Sequence, residues 1–538
     1  MGPVCDHAAV ADPIAELHDA LAAAVAELSG GEAPELGLER PASAEHGDYA
    51  TSVAMRLAPI LGRPPWEIAE ELASRVGGLP GIDAVEVAGP GFLNLRLGAG
   101  WYRDALVGML AAAADFGRGA EQSGIETLVE FVSANPTGDL TIGSARNAAY
   151  GDCVARLLAF TGEPVVREYY FNDAGNQIAL FGASLRARRH GEEVPEGGYP
   201  GPEVAEIAAA LPLADDAPTE EWTRLGIETM MGRIRGSLER MRVSFDLWTS
   251  EQTLHASGAV QAAIGRARAE GHVHERDGAT WLRTTTFGDD KDRVLLKADG
   301  ETTYFAADLA YIDLKFTRGA THAIYVLGAD HHGYVQRLKA GAACLGYDPE
   351  AVEILIYQLV TVSGERMGKR RGNVITLDGL VDAIGVDAAR YFLVQRSHDQ
   401  TLDIDLDLAV EESSKNPVYY VQYAHARCAS ILRKAADEGR MTEGAGTAHV
   451  PEGPEAALVR RLAEWPDIVR TAASLRAPHR IIVWAHDLAG DFHAFHHDLY
   501  VLHEDDDIRA FRLAAVRATA DALERALALV GVSAPDRM

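Results

Sequence analysis

Between residues 125 and about 395 the chain alternates short apolar runs with stretches of helical periodicity, and this alternation limits the possible folds more than any other feature. The clearest runs are LVEFV (128 to 132), VVREYY (165 to 170), HAIYVLG (322 to 328) and VEILIYQLVTV (352 to 362), each followed by a polar or Gly-containing loop. Strands joined by helical crossovers build a doubly wound parallel sheet, and ligands sit beyond the carboxyl ends of its strands. Mostly helical and loop-like sequence from about 183 to 280 interrupts the alternation and reads as an inserted subdomain. In front of it, Ile14, Leu17, Leu21, Val25 and Leu28 recur at helical spacing until Ser29-Gly30-Gly31 ends the pattern. The organisation expected is α/β: an N-terminal α+β domain over 1–118, a Rossmann-type sheet domain over 119–395, and an all-α helical bundle over 396–538.

An apolar content of 47% supplies sizeable cores for these three units. The 50 basic and 79 acidic residues leave a formal charge of −29, which disfavours coating DNA or any nucleic acid without specificity, since that requires many phosphate contacts. A specific RNA held by local basic patches remains compatible with it. Cys5, Cys153, Cys344 and Cys428 lie far apart with no C-x-x-C pair, the pattern of reduced thiols in a cytoplasm and not of a zinc site. No apolar run approaches the ~18 residues of a membrane span, and no basic signal region opens the chain, so a cytoplasmic monomer is expected.

Two loops carry the chemistry. The first, NPTGDLTIGSARN (135 to 147), follows a strand-like run and leads into a helix, but is neither a Walker A motif nor a G-x-G-x-x-G fingerprint. The second, SGERMGKRRGNVITL (363 to 377), sets Arg366, Lys369, Arg370 and Arg371 between glycines after a strand, a composition suited to a polyphosphate.

Together the two loops resemble the paired signatures of class I aminoacyl-tRNA synthetases, HIGH at Thr141 to Ser144 (T-I-G-S) and KMSK at Arg366 to Lys369 (R-M-G-K). Longer strings, among them VEFVSANPTG, REYYFNDAGNQI, FGDDKDRVL, ETTYFAADLAY, GADHHGYVQRL, LDIDLDLA and NPVYYVQYAHAR, resemble the bacterial arginyl-tRNA synthetase family in order along nearly the whole chain. The resemblance implies an N-terminal domain at the outer corner of tRNA, a catalytic domain making arginyl-adenylate and a C-terminal domain reading the anticodon. It implies ATP as a substrate, Mg2+ accompanying the ATP, no structural metal, and arginine tRNA as partner.

The same resemblance assigns residues. A guanidinium is planar and always charged, and is best held by carboxylates accepting forked hydrogen bonds. Tyr304 and Asp308 stand four apart, share a helix face, and match the family's guanidinium grip, with Glu251 a candidate second carboxylate. Glu130 and Asn135 match residues holding the α-amino end. Gly143, His331, His332, Met367 and Lys369 fall on the nucleotide side. Thr141 and Ser144 stand where the family has two histidines that donate to phosphate. This departure leaves two further readings, a weakened paralogue that binds tRNA or arginine, and a specialised ligase for small-molecule biosynthesis. Asp403, Asp405 and Asp407 mimic an EF-hand opening, but Leu408 replaces its glycine and Ser414 its glutamate. His493 and His497, four apart, lack the glutamate of H-E-x-x-H.

Overall fold

A computed structural model describes residues 12–31, 34–41, 43–124, 126–363 and 375–538 of the chain. The first helix, Pro13–Ser29, starts where the Asp12 carboxylate accepts from the N–H groups of Ile14 and Ala15, and stops at left-handed Gly30. It packs with helices Val53–Leu61 and Pro65–Val76 over a small antiparallel sheet of β1 (Tyr49–Thr51), β2 (Ile82–Ala88) and β3 (Phe92–Leu97), in the order β1-β3-β2.

The central sheet contains β4 (Thr127–Glu130), β5 (Val165–Phe171), β6 (Leu247–Ser250), β10 (His322–Gly328) and β11 (Val352–Tyr357). Its order is β11-β10-β4-β5-β6, with every pair parallel. β4 lies in the middle, so its carboxyl end opens onto the centre of the sheet edge. The helix after it, Ile142–Phe160, is buried along most of its length. Alanines 145, 148 and 149 bring it close, and an added Cβ on Gly151 would lie 2.4 Å from the Phe131 ring. Between β6 and β10 stands an antiparallel meander of β7 (Val273–Arg276), β8 (Ala279–Leu282) and β9 (Arg293–Leu296). A separate parallel pair joins β12 (Val360–Ser363) to β13 (Leu402–Asp405).

Three sequence expectations change. The run LVEFV ends as a strand at Glu130, because Val132 and Ser133 both take positive φ (67° and 41°). VEILIYQLVTV is two strands in two different sheets, β11 and β12, parted at Gln358-Leu359. The interval of about 183 to 280, expected as an inserted subdomain, contains β6, the edge strand of the central sheet. Four residues at an edge, flanked by polar sequence, leave too short an apolar run to stand out.

The C-terminal helices Pro417–Asp437, Pro454–Ala463, Trp465–Ser474, His479–Asp498 and Asp506–Leu529 form a bundle around Trp465 and Trp484, whose ring centroids are 4.7 Å apart. Among the described residues no helix is long and apolar enough to cross a membrane.

Candidate active site

The stretch T-I-G-S opens the central helix. Thr141 is its N-cap, its Oγ1 accepting from the Ser144 N–H at 3.3 Å with the Ser144 hydroxyl also 3.3 Å away. Gly143 sits in the first turn, where an added Cβ would make only ordinary contact with Thr141. Ile142 donates to the Ile375 carbonyl at 2.9 Å and Leu377 to the Leu140 carbonyl at 2.7 Å. Thr376 in turn caps the next helix, Leu377–Val394, by accepting from Gly379 at 3.0 Å. Two helix N-termini with hydroxyl caps therefore lie side by side, a ready arrangement for anionic phosphate. Arg366, Met367, Lys369, Arg370 and Arg371 lie outside the described residues, as does Cys5. Cys153, Cys344 and Cys428 are buried free thiols.

Beside these caps the loop after β4 is held in a strained shape. A β-branched residue with positive φ is costly, and Val132 is kept there by Asn147, whose Oδ1 accepts from Val132 N–H at 2.9 Å. The same amide donates to the Val326 carbonyl on β10 at 2.9 Å. Ser133 donates to Glu130 Oε1 at 3.0 Å and accepts from the Tyr170 N–H at 3.2 Å. Asn135, exposed, donates to Gln177 at 3.0 Å.

Carboxylates converge next to this loop. Glu130, at the end of β4, and Glu168, in the middle of β5, are register partners, and both are buried. Lys315, fully buried, lies 2.9 Å from Glu130 Oε2 and 2.6 Å from Glu168 Oε2, while Arg318 reaches Glu168 Oε1 at 2.9 Å. Burial works against the Glu168 carboxylate, but Lys315 beside it brings its pKa below the usual range. Glu251 is buried and accepts from the Tyr170 hydroxyl at 2.8 Å. The Asp308 carboxylate has no hydrogen bond or ion pair with any described residue. Burial, then Glu251 and Glu130, push its carboxyl up to about 7, against a weaker opposing pull from Arg337. Tyr304, on the first turn of helix Tyr304–Thr317, is 77% exposed. The structure thus brings Glu130, Glu251 and Asp308 together, with Tyr304 on the helix of Asp308. His331 and His332 stand exposed in the turn Ala329–Tyr334 after β10.

Sequence reasoning missed Tyr170, Asn147 and Lys315. Tyr170 and Asn147 sit inside strings singled out above, where nothing in their spacing sets them apart. Lys315 was legible, because Tyr304, Asp308, Tyr311 and Lys315 follow one another at steps of four, three and four, a single helical stripe. The acidic triplet is accounted for locally: Asp403 accepts from Thr361 at 2.6 Å and Ser363 at 2.8 Å, and Asp405 caps Leu406–Ala409. His493 packs against the rings of Tyr420 and Tyr423. No group of three or more His, Cys, Asp or Glu that could hold a metal occurs among the described residues.

Three family models match the chain: "Arginyl tRNA synthetase N terminal domain" over 15–97, "tRNA synthetases class I (R), catalytic domain" over 214–429 and "DALR anticodon binding domain" over 421–538. With the parallel sheet and its helix-capped central crossover, these define a class I tRNA synthetase. An arginine–tRNA ligase of Frankia alni is 47% identical over 549 residues, covering 97% of this chain and all of the relative. The chain belongs to the arginyl-tRNA synthetase family. Solved arginyl-tRNA synthetases share its fold: that of Thermus thermophilus at TM-score 0.78 and 24% identity over 97% of this chain, and that of Plasmodium falciparum at 0.76 and 15% over 99%, each covered completely.

Proposed function

We propose that this arginine–tRNA ligase seats arginine in the carboxylate cluster, with the guanidinium at Tyr304, Asp308 and Glu251 and the α-amino group at Glu130 and Asn135. The observation that carries this reading is Asp308, a sheltered carboxylate without a partner among the described residues, beside a second one, Glu251. An uncompensated negative pocket is what a permanent cation satisfies. ATP lies over Gly143, His331, His332, Met367 and Lys369, its α-phosphate at the adjoining helix N-termini. Mg2+ accompanies the triphosphate and neutralises part of its charge.

An arginine carboxylate oxygen attacks the α-phosphorus, pyrophosphate leaves, and arginyl-adenylate forms. The 3′-terminal ribose hydroxyl of the tRNA then attacks the arginyl carbonyl and AMP leaves. Thr141 and Ser144 donate hydroxyl hydrogens to the α-phosphate where the family pattern has imidazoles, and Lys369 neutralises the outer phosphates. Loss of one preorganised donor costs on the order of 10²- to 10³-fold in rate. The Thr141 oxygen is also engaged as a helix cap, which favours slow activation as a second reading. The 1–118 domain meets the outer corner of tRNA. A cavity of about 640 Å3 in the 396–538 bundle, lined by Tyr423, Arg427, Arg433, Lys434, His496 and Tyr500, takes the anticodon. The enzyme works as a cytoplasmic monomer.

The deciding experiment is arginine-dependent ATP–pyrophosphate exchange with and without arginine tRNA. Exchange is expected only with the tRNA, and tRNA binding is expected to weaken steeply with salt despite the −29 charge. Strong exchange without RNA contradicts tRNA dependence. Absence of any activity with tRNA bound leaves the degenerate paralogue.

A further inference from the structure

Glu130 and Glu168 stand opposite each other on adjacent parallel strands, and Tyr325 flanks Glu130 on the other side in register. Two carboxylates so placed repel unless a cation lies between them. Lys315 supplies it, with Nζ also 3.8 Å from the Tyr311 ring centroid and 4.9 Å from that of Tyr325. Lys315 lies 2.9 Å from the solvent-inaccessible Oε2 of Glu130, an ion pair without hydrogen-bond geometry, and Ser133 donates to the other oxygen, Oε1. Each Glu130 oxygen thus has a fixed neighbour, and Oε1 keeps a free lone pair. Within this cluster, Asp308 and Glu251 have no lysine or arginine ion pair among the described residues, Glu251 having only His255 at 3.8 Å, and in the proposed seat they lie on the guanidinium side.

We infer that Lys315 is the positioning residue for the α-amino group of arginine: it fixes Glu130 so that Oε1 receives the ammonium, and together with Arg318 it cancels the charge of the buried pair so that the uncompensated charge remains at Asp308 and Glu251. The inference rests on the proposed seat of the α-amino group at Glu130. It separates the two ends of the substrate electrostatically, with a neutralised, rigid carboxylate for the ammonium and a charged pocket for the guanidinium. Helix Tyr304–Thr317 serves both, presenting Asp308 at one level and Lys315 two turns further along the same stripe.

The test compares arginine with 5-guanidinopentanoate, which lacks only the α-amino group, as substrate and competitive inhibitor in tRNA-dependent pyrophosphate exchange. Lys315→Met combined with Glu168→Gln removes both members of the inner pair, so the fold keeps a balanced interior and Arg318 can turn to solvent. In this variant the arginine KM is expected to rise about tenfold or more while inhibition by the deaminated analogue and the KM for ATP stay unchanged, so discrimination between the two compounds collapses. Lys315→Arg, which keeps the charge, is expected to restore part of it. Unchanged discrimination in the folded double variant overturns the inference. If that variant does not fold, Glu130→Gln, with the Lys315–Glu168 pair intact, must give the same collapse, and unchanged discrimination there is equally fatal. Glu130→Gln run in parallel separates the two readings: discrimination lost there but kept in the double variant overturns the role of Lys315 alone, whereas discrimination kept in Glu130→Gln removes the α-amino seat itself.

Discussion

At the scale of single residues, Asp308 decides most. Asp308→Asn removes a charge-assisted fork, so the arginine KM should rise at least about tenfold, about 1.4 kcal/mol, in steady-state exchange. Its carboxyl titrates at about 7 in the fold against 3.8 ordinarily, so the folded state binds this proton more tightly than the unfolded chain. Its contribution to stability is therefore full at low pH and declines as pH rises from about 4 towards about 7. Arginine needs the ionised form, so its affinity should rise over the upper part of that window. The groups that shift Asp308, namely Glu251, Glu130 and Arg337, are unchanged in Asp308→Asn, which should flatten the KM–pH profile and melt higher than the parent at pH 8. Thr141 and Ser144 give the second residue-scale prediction. Thr141→His with Ser144→His should raise kcat with little change in KM, since new donors act on charge that develops in the transition state. The loss of the threonine cap should cost about 1 kcal/mol in thermal unfolding.

At the scale of elements, the loop after β4 depends on one amide. Asn147→Ala leaves the Val326 carbonyl and the Val132 N–H unpaired in the interior and releases the strained turn. Chemical denaturation should show a loss of about 2 to 4 kcal/mol, and the arginine KM should rise because Glu130 and Asn135 lie on either side of that turn. This loop also marks where sequence reading stops. Apolar alternation and loop composition made β4, β5 and β10 visible, with the helix capped by Thr141. The four-residue edge strand β6 and the break between β11 and β12 depend on which neighbour each strand pairs with, and local periodicity contains no such information. The i, i+4 spacing of Tyr304 and Asp308 was readable, but which of the two faces solvent was not: Tyr304 is the exposed one and Asp308 the sheltered one. The stripe that carries Lys315 was readable too, but its pairing with Glu130 and Glu168 needed knowledge that those two sit in register.

At the scale of the whole molecule, the N-terminal unit is tied to the helical bundle by Asp48, which accepts from Tyr102 at 3.1 Å and pairs with Arg460, and by the Trp465 indole donating to the Phe116 carbonyl at 3.0 Å. The central domain is joined to the bundle by Arg390, fully buried, which donates to the Val530 carbonyl at 2.9 Å, the Met241 carbonyl at 2.6 Å and Asp152 at 2.5 Å. Gly531 is required there, since it has positive φ and an added Cβ would lie 2.1 Å from the Arg390 guanidinium. Arg390→Met leaves the Val530 and Met241 carbonyls without this donor in the interior, while Asp152 keeps Arg156 at 2.7 Å, so it should cost about 3 kcal/mol. Calorimetry should then resolve a separate transition for the helical bundle where the parent melts as one.

That junction also sets an order of events during synthesis. Asp387 and Arg390 lie in Leu377–Val394 beyond its non-helical break at Gly385, and take Ser533 and Val530 as partners about 140 residues later in the chain. On a translating ribosome the central sheet can close long before those partners emerge, and until they do the arginine has Asp152 and the Met241 carbonyl as partners without Val530. The nascent chain therefore waits on a late stretch of its own message before the segment after Gly385 is locked.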